Sequence, residues 1–231
     1  MKKVLKPAFL ATLPVMTGYL VLGVGFGLML HNAGGSLLLA LAMSGFIYAG
    51  SMQYLAVDLL SGGATLLSAA LVTLMVNARH LFYGVSMLDK YRDMGAVKPY
   101  LIFGLTDETY SLLCQESLPV PQEQRRAYCL LVTLLDHLWW VLGTLLGAGA
   151  AQVLHINTTG MDFALTALFV TVLVEQWLTA EDRVPALIGG GASLLCLVLF
   201  GAADFLIPAM VLIALLLCLY TGRDKEVRGH E

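Results

Sequence analysis

Residues 9–30 read FLATLPVMTGYLVLGVGFGLML, with no charged side chain anywhere between Lys6 and His31. A helix rises about 1.5 Å per residue, so about 20 apolar residues cross a hydrocarbon core roughly 30 Å thick. The stretch has that length and composition, and it sets the reading of the whole chain as helical and membrane-embedded. Lys2 and Lys3 precede it, as in a secretory leader. The apolar run is longer than a leader's, however, and no A-x-A site ends it, so a retained first span is expected.

The rest of the chain agrees. Of its 231 residues 58% are hydrophobic and 13% charged, with a mean hydropathy of +0.81. Soluble domains average about 45–50% apolar and about 25% charged. So little charge cannot clothe a water-facing surface, and the excess apolar surface must face lipid. The net charge of −3 and the absence of any basic run longer than two residues give no support for nucleic-acid binding. Cys114, Cys129, Cys196 and Cys218 are widely spaced, without metal-ligand spacing, and read as small apolar residues.

Further apolar runs follow at 37–60, 66–88, 99–114, 129–154, 163–178, 185–200 and 205–220. The expected fold is therefore all-α with eight transmembrane helices, one polytopic domain over 1–231. Segment 99–114 is the ambiguous one, because it carries Thr106-Asp107-Glu108 in its middle. A carboxylate at the membrane centre costs about 3 kcal/mol on insertion scales. The alternative is seven spans, with 99–114 broken or re-entrant. Loop charge favours eight: with the N-terminus inside, Lys2, Lys3, Lys6, Arg125, Arg126, Arg183, Arg223, Lys225 and Arg228 fall on the cytoplasmic side, and Lys90, Arg92 and Lys98 outside. Both termini are then cytoplasmic.

A weak internal repeat aligns Phe46–Leu55 with Phe169–Leu178, each being Phe, six residues, Gln, a large aromatic and Leu. Candidate halves are 7–98 and 127–221, joined by 99–126. Transporters are often built from such repeats, with the substrate site near the midplane. Gly23-x-x-x-Gly27 and Gly143-x-x-x-Gly147 have the spacing that lets membrane helices pack closely.

Charge inside a span persists only with a partner or a purpose. Arg79, in Asn77-Ala78-Arg79-His80, is too far from the end of its span at Leu88 to reach water easily. Its planar fork of donors suits a carboxylate, either a substrate's or that of Asp107, Glu108 or Asp58. Asp107 and Glu108 point about 100° apart on a helix. A carboxyl in low dielectric can take a proton near neutrality, which makes either a candidate for proton coupling, as are His80 and Glu175. Gly45, Gly50 and Ser51 permit close packing or local unwinding, and unwound backbone can meet a polar substrate where it lines a cavity. Asp136, His137, Trp139 and Trp140 read as an interfacial group at the start of the fifth span.

Taken together, Gly23-x-Gly25-Phe26-Gly27, Ala49-Gly50-Ser51-Met52-Gln53, Asn77-Ala78-Arg79-His80-Leu81-x-Tyr83-Gly84 and Thr106-Asp107-Glu108 resemble the AzlC family over nearly the whole chain, least clearly after Cys129. That family supplies the large subunit of branched-chain amino acid exporters of the YgaZ and BrnF type. The resemblance implies export of valine, leucine and isoleucine, with methionine a further candidate, across a bacterial inner membrane. It implies coupling to the proton-motive force and a small hydrophobic AzlD-type partner of about four spans.

Such a substrate needs a cation or N–H donors for its carboxylate, an acceptor for its ammonium, and an apolar pocket. The residues expected to bind it are Arg79, Asn77, Gln53, Ser51, Gly50 and Tyr54, with Phe46 and Phe82 beside Tyr54 in the apolar part. No nucleotide-binding motif, catalytic triad, metal set or cofactor motif is recognisable, so neither an enzyme nor an ATP-driven pump is expected. The competing class is an ion channel or passive pore, against which the singly scattered polar groups argue.

Overall fold

The computed structural model describes residues 2–115, 117–154, 163, 166–167, 170, 173–174, 177–178, 180 and 182–228. All its regular elements are helices: α1 (Lys2–Asn32), α2 (Leu37–Phe46), α3 (Gly50–Ser61), α4 (Leu66–Asn77), α5 (Arg79–Met87), α6 (Lys98–Phe103), α7 (Asp107–Leu113), α8 (Arg125–Val153), α9 (Val184–Asp204) and α10 (Leu206–Arg228), with short 3₁₀ turns before α6 and α8. The chain divides into two compact units, Met1–Leu165 and Thr166–Glu231. Among the described residues, three helical stretches are long and apolar enough to cross a membrane: Lys3–Asn32, Gln122–Val153 and Val184–Gly201. The pair α4 and α5, bent by 46° at Ala78, adds a fourth if it acts as one span.

The first unit is organised around α1 and α8. They run parallel: Val4 shares a cluster with Tyr128, and a Cβ added to Gly23 would meet Gly143 and Thr144. One added to Gly27 would strike the Thr144 carbonyl oxygen and the Ala148 nitrogen. The two GxxxG stretches therefore pack against each other, backbone on backbone, as their spacing suggests.

Two half-depth hairpins enter this frame from opposite ends. Residues 37–61 do not form one span. They break at residues 47–49 into α2 and α3, of 10 and 12 residues, which is about 15 and 18 Å of helix. Gly35 sits on Leu30 near the end of α1, and the Tyr54 hydroxyl donates to the Leu22 carbonyl. At the tip Tyr48 stacks on His137 and meets Tyr19 edge-on. Tyr48 is the one non-glycine with positive φ among the described residues, at 45°. Its ring contacts hold a conformation that an L-residue seldom adopts.

The second hairpin is α6 and α7, of 6 and 7 residues, broken at residues 104–106. Both its ends lie at the end of the unit where α1 starts. The Lys90 ammonium donates to the Cys114 and Gln115 carbonyls, a Cβ on Gly95 would meet the Arg126 guanidinium, and Met87, Tyr91 and Met94 cluster with Val4, Ala8 and Tyr128. Segment 99–114 thus enters and leaves at one end, the re-entrant alternative. Lys90, Arg92 and Lys98 lie at the same end as Lys3, Lys6, Arg125 and Arg126, and not opposite them as the eight-span reading had it. Two short helices cannot cross; a half-depth hairpin satisfies its backbone and brings the Asp107-Glu108 pair to its tip, beside protein rather than lipid.

Exposed surface follows the same logic. No residue of α4 is buried, and Leu66 and Leu67 are 92% and 71% exposed. In the second unit Pro185 opens α9, where its missing N–H is harmless. Gly201, with a φ of 76°, puts a kink inside α9 near its end. Residues 169, 171–172 and 175–176 lie outside the described residues. With them go the second arm of the proposed repeat and Glu175.

Candidate functional site

Three helix breaks meet at mid-height in the first unit: residues 47–49, Ala78, and residues 104–106. Each break frees backbone groups or redirects a side chain, and the charged residues gather there. Arg79, the first residue of α5, pairs through Nη1 with Asp107 Oδ2 at 2.8 Å, Asp107 being the first residue of α7. Its Nη2 donates to Ser51 Oγ at 3.1 Å, in the first turn of α3. Of the three carboxylates weighed for Arg79, the structure pairs Asp107; Asp58 is exposed and Glu108 bonds elsewhere. The pair is partly open, with side chains 30% and 26% exposed. Asp107 Oδ1 is buried without a hydrogen-bond partner among the described residues.

The start of α3 adds donors. Its N-cap, Ala49, offers no side-chain acceptor, so the first N–H groups of the helix, at Gly50, Ser51 and Met52, are directed out of its end. Such an end favours a carboxylate. A Cβ on Gly50 would press on the Trp140 ring. The start of α7, by contrast, is capped by Thr106, whose Oγ1 accepts from the Thr109 N–H.

The other expected binding residues make the following contacts. Gln53 is fully buried: its amide accepts from Trp140 Nε1 at 2.9 Å and donates to Ser44 Oγ at 3.2 Å. Tyr54 fastens α3 to α1. Asn77 ends α4, and its backbone carbonyl lies 3.2 Å from His80 Nδ1. Phe46 and Phe82 do not line a pocket with Tyr54; they are 83% and 75% exposed.

A second polar line runs behind the ion pair. The Tyr19 hydroxyl donates to Glu108 Oε2 at 2.7 Å and lies 2.7 Å from Thr106 Oγ1. Thr106 reaches Thr109, and Thr109 donates to Asp136 Oδ2 at 2.8 Å. Asp136 is not interfacial. It is wholly buried, and α8 starts at Arg125, eleven residues earlier. Trp140 is likewise buried, and His137 is held between Tyr100 and the Ser44 carbonyl. The sequence signal that could have placed them was Arg125-Arg126, which marks where the helix begins. Tyr19 and Thr109 carried no signal, because uncharged hydroxyls are ordinary in membrane helices, and Thr106 stood out only as the neighbour of Asp107-Glu108.

Long apolar helices, half-depth hairpins and a charged pair at their meeting point define a polytopic membrane protein with a polar centre. The family described as "AzlC protein" matches residues 14–154. The chain belongs to the AzlC family. It is 43% identical to the "Branched-chain amino acid transport protein AzlC" of Bacillus subtilis over 208 residues, covering 90% of this chain and 82% of that one. It is 38% identical to an "Uncharacterized membrane protein" of Helicobacter pylori, covering 94% and 95% of the two chains. It is 28% identical to the "Inner membrane protein YgaZ" of Escherichia coli, covering 87% and 82%. No solved structure matches.

Proposed function

We propose that this chain is the large subunit of a secondary transporter that exports branched-chain amino acids across a bacterial inner membrane, driven by the proton-motive force, together with a small hydrophobic AzlD-type subunit. Valine, leucine and isoleucine are the substrates, with methionine a further candidate. The observation that carries the reading is the Arg79–Asp107 pair with Ser51, where three helix breaks converge. The substrate carboxylate takes the place of Asp107 on the Arg79 fork and meets the N–H groups at Gly50 and Ser51. The released Asp107 then receives the substrate ammonium. Broken helices presenting a dipole end and a side-chain fork at the midplane are how many secondary transporters bind small zwitterions. The name of the Bacillus subtilis relative supports the substrate class. The end of the first unit that carries Lys3, Lys6, Lys90, Arg92, Lys98, Arg125 and Arg126 is the cytoplasmic one.

The test is accumulation of radiolabelled leucine in exporter-deficient bacterial cells that express the chain with its small partner. Arg79→Lys loses the bidentate fork and Asp107→Asn loses the countercharge. Both should retain leucine as empty-vector cells do. Efflux at the wild-type rate in both variants would overturn the assignment.

A further inference from the structure

Five oxygens run in series through the first unit: Glu108 Oε2, Tyr19 Oη, Thr106 Oγ1, Thr109 Oγ1 and Asp136 Oδ2. The four links measure 2.7, 2.7, 3.1 and 2.8 Å, all at or close to hydrogen-bond length. Each link needs one hydrogen, and the three hydroxyls supply three. If Tyr19 donates to Glu108, Thr106 to Thr109 and Thr109 to Asp136, all three are used, and the 2.7 Å link from Tyr19 to Thr106 holds none. The Thr109 backbone N–H, 3.3 Å from Thr106 Oγ1, occupies another lone pair of that atom and brings no hydrogen to the series. Two ionised carboxylates would therefore leave two hydroxyl oxygens facing each other lone pair to lone pair. Thr109 and Asp136 are fully buried, and Tyr19 and Thr106 nearly so, where an unmade hydrogen bond is expensive.

We infer that Glu108 and Asp136 share one proton across the Tyr19–Thr106–Thr109 hydroxyls, so that the two carboxyls form a single proton-carrying site built from α1, the α7 cap and α8. The fourth hydrogen sits on one carboxyl or the other, and both arrangements complete all four links. Transfer is balanced. The Glu108 O–H bond breaks as Tyr19 takes that hydrogen; Tyr19 gives its own to Thr106, Thr106 to Thr109, and Thr109 to Asp136 Oδ2. Each hydroxyl ends with one hydrogen, and one negative charge moves from Asp136 to Glu108. The ionisable groups facing the pair are the Tyr48 phenol from the opposing hairpin, close to both carboxyls, Tyr128 on the Asp136 side, and Asp107 beside Glu108. Asp136 Oδ1 has no hydrogen-bond partner among the described residues. Asp107 and Glu108 share one short helix, so the carboxylate that yields to substrate and the one that ends the proton line move together. The inference rests on the proposed proton-coupled export and assigns it a proton path.

Infrared spectroscopy of the purified chain tests it without any transport. At neutral pH the wild type should show the C=O stretch of a buried protonated carboxyl. Asp136→Asn and Glu108→Gln should each abolish that band, because the introduced amide supplies the fourth hydrogen. A band that survives both substitutions, or that the wild type lacks, overturns the shared proton. In vesicles holding the chain and its small partner, Thr109→Val should lower leucine efflux driven by a proton gradient at least tenfold, and Thr109→Ser should restore most of it. Gradient-driven efflux undiminished in Thr109→Val overturns the path; if that variant fails to fold, the infrared comparison decides. A wild type that shows the band but moves no leucine keeps the shared proton and refutes only the export reading.

Discussion

Arg79 and Asp107 show how a charge survives inside an apolar fold. Removing one partner of a fully buried pair costs about 3–5 kcal/mol, whereas exposed pairs contribute about 0–1 kcal/mol. This pair is about a quarter to a third exposed, so each single neutralisation, Arg79→Gln or Asp107→Asn, should destabilise the purified chain by about 1–2 kcal/mol. The double variant leaves no stranded charge and should recover most of that loss, while transport stays abolished. Thermal melts of the four proteins in detergent give the coupling directly. Additive losses in the double variant would show that the two side chains do not depend on each other.

At the scale of the element, the contact of α1 with α8 is set by glycine. A methyl at Gly27 would meet the Thr144 carbonyl oxygen and the Ala148 nitrogen, and one at Gly147 would meet the Val24 backbone; at Gly84 a methyl meets nothing within 4 Å. Gly27→Ala and Gly147→Ala should each lower stability by about 2–4 kcal/mol, since backbone and not a flexible side chain must give way. Gly84→Ala should be neutral or slightly stabilising, the helical glycine being replaced by a better helix former. Size-exclusion profiles after graded heating would rank them.

The glycine spacing was legible in the sequence because close helix packing demands small residues at a fixed interval. The anomaly of segment 99–114 was legible too, since two adjacent carboxylates cannot face lipid. Local unwinding near Gly50 and Ser51 was legible as an option; that 37–61 turns back there was not. Tyr48 turns the chain there, in a conformation fixed by Tyr19 and His137, residues far away in sequence. Local composition reads the same whether such a segment crosses or turns back. The hydroxyl line was hidden for a similar reason: Tyr19 comes from α1, Thr106 and Thr109 from the start of α7, and none of the three is unusual alone.

At the scale of the molecule, the hairpins change the count of loop charge. Reading 99–114 as a crossing puts Lys90, Arg92 and Lys98 opposite the N-terminus, as the exception to an inside-positive pattern. With the hairpin turning back, those three residues join Lys3, Lys6, Arg125 and Arg126 at one end. The other end of the unit, at residues 33–36, 62–65 and 154, holds no Lys or Arg. Such an asymmetry supports the proposed orientation, with the basic end in the cytoplasm. In a background lacking the four native cysteines, Ala96→Cys, Glu123→Cys and Ala33→Cys, all at exposed positions, should separate the topologies. A membrane-impermeant maleimide added to intact cells should label the cysteine at 33 and spare those at 96 and 123, which should react only in inverted vesicles. Labelling at 96 and 123 from opposite sides would mean that 99–114 crosses the membrane after all, and that the meeting of two half-depth tips at Arg79 is not the architecture of the functional protein.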